Sequence, residues 1–207
     1  FREASSGCWS TDGTAVGTVL RASCLGSPVL ALATDRLLFA RSNSGEREIW
    51  SIDAADTLTQ ESDFADFSSR PQGFASMGSI ALFVADAGLF GREPWISNGT
   101  PGQATGLDLE PGIAGSAPAD LNPFVLMPMG TRLYFMGDSS TTGLELFTVD
   151  AGADEPSVVE ATPGPAGFDD VEAPLVGWNG AVWFVADDGA TGKQIWRSDG
   201  VTVTRVT

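Results

Sequence analysis

The sequence predicts an all-β, β-propeller-like chain: four four-stranded antiparallel blades behind a leading half blade, in a ring that is incomplete or completed by a partner. Three observations carry this expectation. A strand with Phe at its fourth position recurs as RLLFARS (36–42), IALFVAD (80–86), RLYFMGD (132–138) and AVWFVAD (181–187). Each copy is followed by a second strand with a fourth-position aromatic: REIWSID (47–53), REPWISN (92–98), LELFTVD (144–150) and KQIWRSD (193–199). The step from Phe39, Phe83, Phe135 and Phe184 to Trp50, Trp95, Phe147 and Trp196 is 11, 12, 12 and 12 residues. Steps between successive second-strand aromatics, counted from Trp9, are 41, 45, 52 and 49, so the hairpin is fixed in length and the connection varies. Finally, both strands are apolar on consecutive residues (Leu82, Phe83, Val84; Ile195, Trp196), as in strands buried on both faces.

Four-stranded meanders that cover one another's faces are propeller blades. A β-sandwich does not need so regular a repeat, and solenoid coils are usually shorter. The 207 residues are ample for a core, and 25 glycines with 18% charged residues suit a turn-rich β chain better than a helical one. A net charge of −16 argues against nucleic acid or anionic membrane as the main partner, because both require a cationic surface. No apolar run approaches the roughly 18 residues of a membrane-spanning helix, so attachment to a surface would run through a partner. The chain opens at Phe1 without Met, basic start or signal-like apolar stretch, and reads as processed or as a piece of something longer.

In chain order, residues 1–27 form the half blade. SGCWSTD (6–12) and TVLRASC (18–24) fold about Val16, which sets Cys8 opposite Cys24. That placement permits a cross-strand disulfide contributing about 3 kcal/mol in the chain-entropy picture, and a bridge would imply an oxidising compartment; the alternative is two small buried thiols. Pro28 opens the first blade (28–70), whose return through 53–62 lacks a glycine turn. Pro71 opens the second (71–122), with Pro94 inside a strand, where a residue lacking N–H must face away from a ladder or sit at a bulge. Pro123 opens the third (123–173) and Pro174 the fourth (174–207). The half blade has no first two strands in this chain, so missing residues, a second chain or a partner protein is expected to cover what it leaves open. The repeat core is expected at Trp9, Phe39, Trp50, Phe83, Trp95, Phe135, Phe147, Phe184 and Trp196.

The runs CWSTDGTAVGTVL (8–20), LFVADAGLFGREPWISNGT (82–100) and WFVADDGATGKQIWRSDG (183–200) resemble the bacterial tandem repeat written ELWxTDGTxxGT, sometimes termed hyalin-like. The resemblance covers nearly the whole chain, and the family's Pro-Gly element stands at Pro111-Gly112 and Pro163-Gly164. It implies an extracytoplasmic β-propeller-like protein (periplasmic, cell-surface or secreted), usually without an assigned enzymatic role. Departures are Phe147 in place of Trp, and Ala54-Ala55 and Ala151-Gly152 in place of Gly-Thr.

Chemistry is constrained mainly by what is missing. With no histidine, Ser-His-Asp and Cys-His relays and His-ligated metals are excluded. Two cysteines alone make no zinc or iron–sulfur site, and no phosphate-binding glycine loop follows a strand. A glycoside-hydrolase-like carboxylate pair is the remaining enzymatic option. The acids instead recur at turns: Asp86, Asp138 and Asp187 after one strand, Asp12, Asp53, Asp150 and Asp199 after the next, at opposite ends of a blade. Tyr134, the single tyrosine, lies mid-strand and does not serve as a sialidase-type nucleophile.

Asp187 and Asp188, or Asp169 and Asp170, offer hard oxygen ligands for calcium, whereas Asp-Gly is also ordinary turn chemistry and no EF-hand-like loop is present. Asn98-Gly99-Thr100 matches a glycosylation sequon but is followed by Pro101 and reads as a turn. Trp178 and Trp183 flank Asn179-Gly180; Trp178 lies near the turn and Trp183 inside a buried strand, so core packing is expected over sugar binding. Arg36, Arg47, Arg92 and Arg132 recur at strand starts, in reach of turn carboxylates. The expected function is a non-enzymatic scaffold or protein-interaction subunit, with no resident cofactor. A calcium- or carbohydrate-binding surface module is the alternative and a hydrolase the remote one.

Overall fold

The computed structural model describes residues 7–23, 31–33, 35–43, 46–61, 69–86, 88, 91–110, 115, 126–150, 157–161 and 166–207. At positions 7, 8, 21–23, 31–33, 42, 43, 46 and 173 only the backbone is described. Cys24, Phe1, Pro28, Pro123, Ala151-Gly152 and both Pro-Gly elements lie outside these residues.

The chain forms a hairpin followed by four antiparallel meanders. β1 (Gly7–Ser10) and β2 (Val19–Ser23) make the hairpin. Blade 1 is β3 (Ala31–Ala33), β4 (Arg36–Asn43), β5 (Glu46–Ile52) and β6 (Leu58–Gln60). Blade 2 is β7 (Gln72–Met77), β8 (Ile80–Asp86), β9 (Arg92–Ser97) and β10 (Thr105–Gly106). Blade 3 is β11 (Leu126–Met129), β12 (Arg132–Ser139), β13 (Gly143–Asp150) and β14 (Ser157–Val159). Blade 4 is β15 (Asp170–Trp178), β16 (Ala181–Asp187), β17 (Lys193–Ser198) and β18 (Val203–Arg205).

The fixed Phe-to-aromatic spacing has a direct structural cause. Phe39 pairs with Trp50, Phe83 with Trp95, Phe135 with Phe147 and Phe184 with Trp196 across the central ladder of each blade. Such cross-strand aromatic pairs contribute about 0.2–1 kcal/mol each beyond smaller pairs. In blade 3 the two rings stack at 5.7 Å. Pro94 pairs with Val84 on one side, and its carbonyl accepts from Leu107 N–H (2.9 Å) on the other. A residue's amide and carbonyl point to the same side of a strand, so the missing donor of Pro94 faces β10, which is only two residues long.

Packing between blades has a constant direction. First strands of successive blades lie side by side: β3 touches β7, β7 touches β11 and β11 touches β15, the arrangement of inner strands in a propeller. Alternate residues of each second and third strand then face the previous or the next blade. Leu38, Ala40 and Ile49 on the forward face of blade 1 meet Phe74, Ala81, Phe83, Ala85 and Trp95 on the rear face of blade 2. Leu82 and Val84 of blade 2 meet Leu133, Phe135, Phe147 and Val149 of blade 3. Tyr134, Met136 and Leu146 of blade 3 meet Val182, Phe184, Ala186 and Trp196 of blade 4. The rear face of blade 1 is a smaller cluster of Phe39, Ile52, Trp50 and Leu58. Among the described residues no contact of comparable extent joins β15 back to β3.

Blades 1 to 3 also fix their exits with a buried polar side chain. Glu48, Glu93 and Glu145, two residues before the third-strand aromatic, are 3%, 0% and 0% exposed. Glu93 Oε2 accepts from Leu109 N–H (3.3 Å) and Glu145 Oε2 from Ala161 N–H (3.0 Å), in the segments leaving β10 and β14. Glu48 accepts from Ser69 N–H and Ser69 Oγ–H, just ahead of β7. In blade 4 the position is Gln194, whose Oε1 accepts from Thr207 Oγ (2.8 Å).

Three details depart from the sequence reading. Cys8 pairs with Ala22, not residue 24, because the loop closes earlier than a fold about Val16 and residue 21 is left as a bulge between the Cys8–Ala22 and Trp9–Leu20 pairs. Trp9, expected in the core, is 43% exposed. β15 begins at Asp170, four residues before the Pro174 expected to open it. Asp170–Glu172 pair with Val185–Asp187, and Pro174 sits in the irregular stretch before pairing resumes at Val176, where no ladder donor is required.

Candidate interaction surface

The repeat makes one surface stand out. Positions equivalent to Leu38, Leu82 and Tyr134 (0–2% exposed) are taken in blade 4 by Trp183. Those of Ala40, Val84 and Met136 (0–1%) are taken by Val185, and those of Ile49 and Leu146 (both 0%) by Ile195. Trp183 and Val185 are half-buried and Ile195 is 42% exposed. Burial along β8 and β12 is continuous, whereas β16 alternates, with Val182, Phe184 and Ala186 buried and the residues between them not. Trp183 is thus in the expected strand but not buried as expected, because no blade covers the forward side of blade 4 among the described residues.

β15 widens the same face. Val176, the ladder partner of Trp183, is 49% exposed and Trp178 is 64% exposed. Trp183 Nε1–H donates to the Trp178 carbonyl (3.1 Å), and the two rings lie 5.6 Å apart, tilted by 56°. Asn179 (φ 50°) and Gly180 (φ 72°) form the tight turn that sets this pair, both residues in the left-handed region that such a hairpin requires. The rim carries charges of both signs. Arg197 is exposed, and Lys193 is held well above the usual ammonium range by Asp170 (2.8 Å) and then Glu172 (2.6 Å). At the other end of the array, Leu37 on blade 1 is 40% exposed, and Trp50 is half-buried under the Arg41 guanidinium, 4.6 Å from its ring centre. On the hairpin, Trp9 and its partner Leu20 (53%) are exposed together.

Position alone decides an expected contrast. Leu146→Ala should destabilise the chain by about 2–5 kcal/mol in urea unfolding, whereas Ile195→Ala, at the equivalent place one blade on, should cost under about 1 kcal/mol. Equal costs would mean that the forward face of blade 4 is covered.

Several of the aspartates are committed to turns. Asp188 Oδ1 accepts from Ala190 N–H, Thr191 N–H and Thr191 Oγ–H, its Oδ2 faces Arg205 at 3.5 Å, and Asp187 Oδ1 accepts from Gly189 N–H. Asp12, Asp53 and Asp199 cap their turns in the same way, and Asn98 Oδ1 accepts from Thr100 N–H. Backbone N–H donors, from Thr14, Thr57, Thr191 and Thr202 foremost, hold Asp12, Asp53, Asp188 and Asp199 below the usual carboxylate range. Asp169 is exposed and Asp170 is engaged by Lys193. Arg36, Arg92 and Arg132 meet Asp53 (3.6 Å), Asp86 (3.6 Å) and Asp150 (2.8 Å), pairs worth little individually at a surface. Among the described residues no group of three or more Asp, Glu or Cys converges as a metal site. A cavity of about 100 Å³ lined by Glu93, Trp95, Gly106 and Asp108 is small against the roughly 300–1,000 Å³ of ordinary ligand pockets.

Glu61 is the titratable group that sequence reasoning missed. It is 2% exposed, accepts from Ser51 Oγ–H and lies 3.9 Å from Arg36, while its Oε2 is buried without a hydrogen-bond partner. Burial raises its pKa above the usual carboxylate range, against the opposing Ser51 hydrogen bond and Arg36 charge. A raised carboxyl favours the protonated folded state, so its contribution is present at low pH and lost as pH rises through the folded value. The turn aspartates act in the opposite sense, their contribution being lost as pH falls through the acid range. Glu61→Gln should therefore be more stabilising, relative to wild type, at pH 7 than at pH 4 in paired urea titrations. A gap independent of pH would refute the assignment.

No family model matches the sequence, and no curated protein matches it. Solved structures do. The chain aligns with a prolyl endopeptidase at 12% identity and a TM-score of 0.56, covering 95% of this chain and 29% of the other. A puromycin hydrolase aligns at 10% and 0.57, covering 92% and 30%. Prolyl oligopeptidase B from Galerina marginata aligns at 11% and 0.55, covering 94% and 28%. This chain spans under a third of the length of these proteins. The likeness is one of fold: the chain is all-β, built of propeller-type four-stranded antiparallel blades.

Proposed function

We propose that the chain is a non-enzymatic, extracytoplasmic β-propeller scaffold or protein-interaction subunit, whose array of blades is completed by a protein partner. The carrying observation is the forward face of blade 4: Trp183, Val185 and Ile195 occupy positions that three other blades bury against a neighbour, and here they meet solvent. An apolar strip flanked by charge, with an aromatic pair at its centre, is the composition of a protein-binding patch. Asp12, Asp53, Asp86, Asp150, Asp187, Asp188 and Asp199 are taken up in turns and ion pairs, which favours a scaffold over a hydrolase. Placement outside the cytoplasm follows the resemblance to the ELWxTDGTxxGT repeat. A benzophenone side chain placed at Ile195 should capture protein in the extracytoplasmic fraction of the source cells, and one at exposed Thr131 should not. Equal capture at both positions, or none, would count against the reading.

A second reading has its own observation. The Trp178–Trp183 pair presents exposed indole surface beside a polar turn, the arrangement that stacks on sugar rings, and Asp187 and Asp188 would be the calcium ligands. It requires a glycan- or calcium-dependent rise in melting temperature that Trp178→Ala or Asp188→Asn abolishes.

A further inference from the structure

We infer that the partner of the blade 4 forward face is a second copy of this chain, docked through the rear face of its blade 1. The inference rests on the reading of the chain as an interaction module. Three internal interfaces share one polarity: the forward face of each blade meets the rear face of the next. The chain therefore carries the complement of its own open face. On the forward face of blade 4, Val176, Trp178 and Ile195 are exposed and Trp183 and Val185 half-buried; on the rear face of blade 1, Leu37 is exposed and Trp50 half-buried beside the buried Phe39 and Ile52. Leu37 is equivalent to Ala81, Leu133 and Val182, each 0% exposed beneath the preceding blade. The contact between copies thus continues an interface that the chain already makes three times.

Such a contact is heterologous: it closes into a ring or continues as an open array, and it joins two different surfaces rather than one surface to itself.

Sedimentation of the purified chain at about 0.15 M salt, where the Debye length of roughly 8 Å screens overall repulsion, tests this. The mean mass should rise above 21.5 kDa with concentration. Ile195→Asp and Leu37→Asp should each raise the dissociation constant at least about tenfold. A mixture of the two variants should form a one-to-one complex that neither forms alone, because each retains the surface the other has lost. Val176→Asp and Leu37→Ser stand in if either variant lacks the wild-type circular dichroism spectrum. A wild-type chain that stays monomeric, a mixture that stays monomeric, or association surviving both single variants would overturn the inference. Capture of a different protein at Ile195 by a monomeric chain would sink this inference and leave the interaction reading standing. Absence of capture together with a monomeric chain would remove both.

Discussion

Phe83→Ala is expected to destabilise the protein by about 3–5 kcal/mol, the range for deleting a fully buried aromatic side chain. Phe83 is 0% exposed and sits where two blades meet. It faces Leu38, Ala40 and Ile49 of blade 1, packs on Phe74 at 5.6 Å and pairs across the ladder with Trp95. Backbone strands on both sides prevent collapse into the space left behind, so the cavity cost adds to the lost transfer energy. Urea unfolding read by tryptophan fluorescence measures the effect. A loss under about 1 kcal/mol would mean that blades 1 and 2 do not share a core.

Glu93→Ala should cost about 1–3 kcal/mol, for a different reason. The carboxylate is 0% exposed and receives the Leu109 N–H, tying the segment that leaves blade 2 to its third strand. Truncation strands that donor away from water and opens a gap beside Trp95. Glu93→Gln retains a carbonyl acceptor and should lose markedly less, which separates the hydrogen bond from the volume. Equal losses for Ala and Gln would assign the effect to charge and contradict the role drawn for this side chain. The same ordering is expected at Glu145, with Ala161 as the donor.

The two positions differ in how far the sequence announces them. Phe83 is legible because the hairpin repeats with constant spacing, and the structure explains the constancy by making Phe and Trp direct ladder partners. Glu93 repeats just as visibly, as Glu48, Glu93, Glu145 and Gln194, yet charged residues are normally exposed and the hydrogen-bond donors lie 13 to 21 residues downstream in irregular segments. Trp9 and Trp183 show another limit. A repeat position states what would be buried if a neighbouring blade were present, but it does not state whether the neighbour exists. The Cys8 register and the start of β15 were obscured by a bulge and by a proline inside a strand, both of which break the one-to-one counting that sequence alignment of strands assumes.

The central claim is that four blades pack in one direction and leave the forward face of blade 4 open. Hydroxyl-radical footprinting at a dilution where the chain sediments as a monomer tests it most directly. Trp178 and Trp9 should oxidise fastest, Trp183 at an intermediate rate, and Trp95 and Trp196, 8% and 7% exposed, slowly. If Trp178 and Trp183 are instead as protected as Trp95 and Trp196 in the monomer, the face is covered by the chain itself and the account of an open blade fails.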